Sequence, residues 1–387
     1  MARTSFCTNL AKIKVIGIGG GGCNAVTRMV REGVRGVDFI TMNTDAQALQ
    51  LTEAPTRLQL GEKSTRGLGA GGDPVQGLKA AEENRDEIRA LVAGADMVFV
   101  TCGMGGGTGT GAAPVVAEVA KQSGALTIAV CTKPFTFEGN HRARNAEEGI
   151  ARMLTRCDTL IIIPNDRLLD MCNDRTGVDT AFKLADDVLL HGVQAITEVI
   201  TVPGLINLDF ADIKTIMKDS GPAWMSIGTG SGKNRALDAA KEALASPLLD
   251  VQITGAKGVM FNVVGGDDLT LFEVNSAAEI IKQAVDPEAN IIFGVAHQEG
   301  MNGEVNITLI ATGFGQMGLS GKVREDEISQ MLKGIKSDEE LDMPSFLRRP
   351  MFGTRRQGIP NRVITPNKTV TPNKTPERTP APVEDDD

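Results

Sequence analysis

KVIGIGGGGCNAV, residues 14–26, joins a short apolar run to five glycines within six positions and then to a small-residue helix start. Residues 17–22 satisfy G-x-G-x-x-G, the turn that brings a helix N-terminus against a pyrophosphate. Alone the match is weak, because a strand-to-helix turn also needs glycine for steric reasons. A dinucleotide site adds an acidic residue about 20 positions on, at the end of the second strand, for the ribose. Asp45 in TMNTDA fills that place. A Rossmann oxidoreductase using NAD or FAD is therefore one reading of this loop.

Outward from it, short runs rich in Val and Ile alternate with helical patterns up to about residue 164. Strands are expected at 13–18, 38–42, 96–101, 126–131 and 159–163, with helices near 24–32, 75–92, 111–122 and 143–156. Strands apolar on both faces and spaced by helices define a parallel sheet in a doubly wound α/β domain. Residues 177–202 carry Phe182, Ala185, Leu189, Val193, Ile196 and Ile200 at steps of three and four, which marks one long amphipathic helix. Helices near 210–218, 234–245 and 271–285, with strands at 258–264, 290–296 and 304–313, point to a smaller α+β unit. Residues 353–387 repeat TPNKT, end in Glu-Asp-Asp-Asp and bury too little apolar surface to order. Within the tail, LDMPSFLRRPMF (341–352) clusters apolar and basic residues and reads as a docking peptide.

Two further glycine clusters change the meaning of the first. CGMGGGTGTGAAP (102–114) follows a strand and precedes a helix, and GLGAGGD (67–73) precedes another. Loops after parallel strands of one sheet share its carboxyl edge, where doubly wound folds bind ligands. Converging helix N-termini offer more backbone N–H groups than a pyrophosphate needs and suit a triphosphate. No Walker A loop is present: GTGSGKN (228–234) has Ile227 in place of the first Gly and Asn234 in place of Ser or Thr.

Composition narrows the classes. A net charge of −9, one Trp and no Tyr provide neither a basic field nor stacking platforms for nucleic acid. Six cysteines without a C-x-x-C pair and three histidines argue against a zinc site, so no metal ligation by side chains is expected. MARTSFCTNLAKI lacks the apolar core of a signal peptide, and the expectation is a cytoplasmic protein.

GGGTGTG together with GIGGGGCNAV, GLGAGGDP, PFTFEG and NLDFAD, in that order, resembles the bacterial branch of the tubulin/FtsZ family of GTPases from about residue 13 to 315. The resemblance implies a flexible N-terminus (1–12), a Rossmann-like GTP-binding domain (13–174), a central helix and connection (175–205), a C-terminal domain (206–315) and a mostly disordered tail (316–387). It implies GTP and GDP as ligands, with Mg²⁺ on the phosphates. Gly20, Gly21, Gly22, Cys23, Asn24, Gly71, Gly72, Gly107, Thr108 and Gly109 would lie against phosphates and nucleoside. Glu138 and Arg142 would meet the ribose, and Asn165, Phe182 and Asp186 would surround guanine. Asn207, Asp209 and Asp212 would act on the GTP of a neighbouring subunit, although Asp209 is equally a helix N-cap. The expected partners are further copies of the chain in a head-to-tail filament, other proteins of the division ring, and a membrane-tethering adaptor at residues 341–352. The expected place is the mid-cell division site.

Overall fold

The computed structural model describes residues 11–169, 177–201, 209–246, 248, 253–298, 300, 301 and 303–314. Their strands are β1 (Ile13–Ile18), β2 (Val37–Asn43), β3 (Thr56–Gln59), β4 (Met97–Gly103), β5 (Leu126–Lys133), β6 (Thr159–Pro164), β7 (Gly221–Ser231), β8 (Gly258–Gly265), β9 (Asn290–His297) and β10 (Glu304–Thr312). The spatial order is β3-β2-β1-β4-β5-β6-β7-β10-β8-β9. The first six strands are all parallel.

Side chains alternate across a strand, and both faces of β1 and β4 are apolar. Ile16, Val98 and Val100 pack with Ala80, Ile88, Val116 and Ile150 under the helices Pro74–Glu83, Arg85–Val92, Thr108–Gln122 and Asn140–Leu154. Val15, Met97 and Phe99 face the other way, onto Met29 of helix Gly19–Arg31 and Leu189, Val193 and Ile196 of helix Val178–Thr201. Each such buried aliphatic side chain contributes roughly 1.5–3 kcal/mol. A third cluster, built on Phe261, Val263, Ile307 and Leu309 with helices Arg235–Ala245 and Leu271–Ala284, forms the C-terminal half.

Strand β7 joins the halves. Its start pairs in parallel with β6, and the rest runs antiparallel to β10. Neither β7 nor β3 is among the expected strands. Pro222, Gly228 and Gly230 disguise β7, yet those glycines have a packing cause. A Cβ on either would strike the backbone of helix Arg235–Ala245, at Ala239 and Arg235 respectively. The look-alike GTGSGKN is thus mostly the end of a strand pressed on a helix. The helix expected over 75–92 is two helices that meet at Asn84, whose Oδ1 accepts the Gly61 N–H at 2.8 Å.

The direction of the long helix positions the site. Near its start, Phe182 meets Phe135, just past the carboxyl end of β5. At its end, Thr201 lies against Gly36, just before the amino end of β2. Its 24 residues span about 36 Å and run from one edge of the parallel sheet to the other. The helix Phe210–Met217 lies at the amino edge, where the Thr159 hydroxyl donates to the Met217 carbonyl.

Candidate functional site

Three glycine loops meet at the carboxyl edge because their backbones touch. A Cβ on Gly19 would stand 2.9 Å from the Gly109 amide, and one on Gly21 would stand 3.4 Å from the Gly103 amide. A Cβ on Gly107 would stand 2.8 Å from the Ala70 Cβ and 2.9 Å from the Asp73 amide. Gly22 and Gly109 abut the Thr101 and Gly103 carbonyls so closely that no side chain fits. These glycines let the loops interlock.

Four others have no such cause. Gly20, Gly71, Gly72 and Gly106 have open space where a Cβ would go, and Gly20 and Gly106 also have backbone angles that any residue adopts. Nothing among the described residues requires glycine at 20 or 106, so the space in front of them fits a ligand that comes against the backbone. The helices behind agree. Gly19–Arg31 and Thr108–Gln122 start with neither a side-chain cap nor an acidic residue in the first turn. Their free N–H groups and dipoles favour an anion. Asn24 is exposed on the second turn, whereas the Cys23 side chain is buried. Burial pushes that thiol up to about 12, so it has no thiolate character, and Cys23 offers the site only its backbone.

Another part of this edge is built on the turn Thr136–Glu138. Glu138 accepts the Phe135 N–H at 2.9 Å and pairs with Arg142, while Asp166 accepts both the N–H and the hydroxyl of Thr136. Phe135 stacks on Phe137 at 4.9 Å between centroids and meets Phe182 edge-on at 5.3 Å. Phe182 is the one residue of the long apolar stripe that does not join the core: 41% of it is exposed. One turn further along, burial with Asp187 nearby raises the Asp186 carboxyl to about 7, despite Arg28 pulling it down. Arg28 pairs with Asp187 at 2.9 Å. Asn165, at the carboxyl end of β6, is 5% exposed and its Oδ1 has no hydrogen-bond partner among the described residues. A buried acceptor left alone is costly unless a ligand donates to it.

Gly20, Gly21, Gly22, Asn24, Gly71, Gly72, Gly107, Thr108, Gly109, Glu138, Arg142, Asn165, Phe182 and Asp186 therefore sit on loops and helix ends of one sheet edge. Asp209 and Asp212 do not: they belong to the amino edge. Asn207 and the peptide 341–352 lie outside the described residues. Gly106 is absent from the sequence-derived set, although it was visible inside GGGTGTG.

Asp45 is not a ribose ligand: it caps the helix Ala46–Gln50, accepting from Gln47 and Ala48. The oxidoreductase reading has no remaining support. Among the described residues, no group of three His, Cys, Asp or Glu side chains could hold a metal ion, and no helix is long and apolar enough to cross a membrane.

Residues 12–173 match the GTPase domain of the tubulin/FtsZ family, and residues 221–315 match the C-terminal domain of the FtsZ family. Among solved structures, an empty FtsZ dimer from M. jannaschii is 47% identical, with 79% of this chain and 89% of that one covered at a TM-score of 0.77. A point mutant of FtsZ from M. jannaschii has the same identity and TM-score, with 79% and 92% covered. CetZ2 from Haloferax volcanii, solved as a GTPγS-bound protofilament, shares the fold at 18% identity and a TM-score of 0.68, with 86% and 100% covered. Family models over both halves and 47% identity across most of the chain lead to one conclusion: it belongs to the tubulin/FtsZ family, as a tubulin-like GTPase that forms filaments.

Proposed function

We propose that this GTPase completes its active site only between subunits of a head-to-tail filament, with the carboxyl edge of one subunit holding GTP and the amino edge of the next supplying Asp209 and Asp212. The observation that carries this reading is the separation of the two groups. The helix between them spans about 36 Å, so the two acids cannot reach their own chain's phosphate loops. A second copy stacked along that axis brings them together, and repeating a contact between unlike faces produces an open filament. The mouth of the carboxyl edge is suited to such a contact, because Leu68 and Phe137 are 81% and 62% exposed there.

In this reading the uncapped helix starts and the amides of residues 20–22 and 106–109 hold the phosphates. Asn165 and Asp186 accept from the donor edge of guanine, and Phe182 covers the base. Adenine lacks the pair of adjacent donors that an ionised Asp186 would accept. Mg²⁺, when bound on the phosphates, neutralises charge that develops at the γ-phosphoryl group. Asp209 and Asp212 from the next subunit orient the attacking water, and catalysis comes from positioning and electrostatics. Loss of the γ-phosphate then weakens the joint, and the filament turns over. Through residues 341–352 such filaments would reach a membrane adaptor and, with other division proteins, form a cytoplasmic ring at mid-cell.

The test is GTP hydrolysis per subunit against protein concentration, with and without Asp212→Ala. A threshold concentration, and an Asp212→Ala chain that binds GTP normally yet hydrolyses about a hundredfold more slowly, are expected. Mixed with the unaltered chain, that variant should lower its specific rate by capping GTP sites. A specific rate independent of concentration would assign catalysis to one chain and overturn the proposal.

A further inference from the structure

Thr44 lies between the end of β2 and the N-cap Asp45, and its side chain is entirely buried. Its hydroxyl stands 2.6 Å from the hydroxyl of Thr108, the first residue of the helix behind GGGTGTG. Neither hydroxyl has another hydrogen-bond partner among the described residues. A hydroxyl carries one proton, and a short O···O contact uses one of the two available. With no other acceptor in reach, a fully buried Thr44 must donate here, because a buried donor left unused is costly. Thr108 then accepts, and its own proton is left for an acceptor outside the protein.

The backbone of Thr44 leads elsewhere. Its carbonyl accepts from the Gly69 N–H at 3.2 Å and from the Thr65 hydroxyl at 3.3 Å. Ala46 donates to the Gly67 carbonyl, and Asp45 forms a bridge with Leu68. Residues 44–46 are thus stitched to the loop that continues into Gly71 and Gly72, two of the open glycines. One residue connects the signature-loop hydroxyl to the second wall of the site.

We propose that Thr44 is a positioning residue for the γ-phosphate: it fixes Thr108 as a hydrogen-bond donor toward the terminal phosphoryl oxygens and ties that state to the loop 67–72. This rests on the carboxyl edge being the GTP site. Its consequence is specific, since a donor aimed at the γ-phosphate has no counterpart in GDP. Removing the Thr44 hydroxyl frees Thr108 to turn its proton back or rotate away, so nucleotides with a γ-phosphate lose affinity and GDP does not.

The experiment compares Thr44→Val, which keeps the shape, with Thr44→Ser, which keeps the hydroxyl, by displacement of a fluorescent nucleotide with GDP and with a non-hydrolysable GTP analogue. For Thr44→Val the analogue should bind about tenfold more weakly while GDP stays within about twofold, the scale of one charge-assisted hydrogen bond. Thr44→Ser should restore the analogue to within about twofold of the unaltered chain. In a cycle with Thr108→Val, the double variant should be no worse than Thr108→Val alone, because the first hydroxyl acts only through the second. If Thr44→Val does not fold, Thr44→Cys, whose S–H is a weak donor, carries the same expectation. Equal weakening of GDP and analogue would make Thr44 merely structural. No change for either nucleotide, failure of Thr44→Ser to rescue, or additive effects in the cycle would also overturn the proposal. An unaltered chain that binds neither nucleotide would instead sink the reading of the site itself.

Discussion

The two edges of the parallel sheet are built on opposite principles. At the carboxyl edge the chemistry is backbone: glycine loops interlock so closely that Gly22, Gly107 and Gly109 leave no room for a Cβ. At the amino edge the proposed chemistry is side chain: Asp209 and Asp212 are exposed at the start of an eight-residue helix. A site made of amides cannot lose a group by substitution without disturbing its frame, whereas a site made of exposed carboxylates can. Binding and catalysis should therefore separate cleanly by edge, and folding should fail at only one of them.

The largest expected effect lies inside the carboxyl edge. Gly22→Ala drives a Cβ into the Thr101 carbonyl, and overpacking of this kind costs roughly 1–3 kcal/mol or more. It should lower the melting temperature and abolish nucleotide binding together. Gly20→Ala, two positions earlier in the same helix turn, meets nothing. A compatible Gly-to-Ala change stabilises by about 0.4–1 kcal/mol, so melting should rise slightly while GTP affinity falls at least about tenfold. Thermal melting with a nucleotide titration reads both. Normal GTP binding by Gly20→Ala would show that the open glycine does not face phosphate, and the contrast between interlocking and ligand-facing glycines would break.

Much of this architecture is legible in the amino-acid sequence, and the exceptions have physical causes. Apolar runs rich in Val and Ile mark β1, β4, β5 and β6, because strands buried on both faces need no polar alternation. β3 is short and only half-buried, so its pattern is faint. β7 is hidden by glycines that serve a neighbouring helix. The helix Thr108–Gln122 begins three residues before the expected 111, because its first turn is made of residues poor in intrinsic helicity. Glycine clusters announce the site but not the division of labour within it. Whether a glycine is needed for packing or for a ligand depends on which atoms lie opposite, which no local pattern encodes. Thr44 is invisible for the same reason, since its partner is 64 positions away.

A smaller effect tests the nucleoside side through pH. The Asp186 pKa is raised from 3.8 to about 7, so between those values the folded chain binds more protons there than the unfolded chain. Stability from this group therefore falls as pH rises from about 4 to about 7 and is flat above. In the proposed site, guanine needs the ionised form to accept from its two donors. GDP affinity should accordingly fall as pH drops below about 7, with a limiting slope of about tenfold per unit if one carboxylate governs it. Asp186→Asn should flatten that profile, weaken GDP at pH 8 and raise the melting temperature there, because a buried charge is removed. An unchanged profile in Asp186→Asn would exclude this carboxyl from base recognition and leave Asn165 to carry it.

The smallest effect decides whether the amino edge is as separable as its exposure implies. Asp209 accepts the Ala211 N–H at 3.4 Å, a long N-cap bond at the start of helix Phe210–Met217. Removing a cap costs about 0.5–2 kcal/mol, and this geometry belongs at the low end. Asp209→Ala should thus lower stability by about 0.5 kcal/mol, whereas Asp209→Asn, an equally good cap, should leave it unchanged. Both remove the charge proposed to orient water in the neighbouring subunit, so both should slow hydrolysis in assembled filaments to a similar extent. If activity instead follows the cap, lost in Ala and kept in Asn, then Asp209 acts by holding the helix. Asp212, whose side chain makes no hydrogen bond among the described residues, would then be the acid that reaches the next subunit's nucleotide. Either way the stability difference between the two variants measures the cap alone, and what remains of the activity loss belongs to the charge.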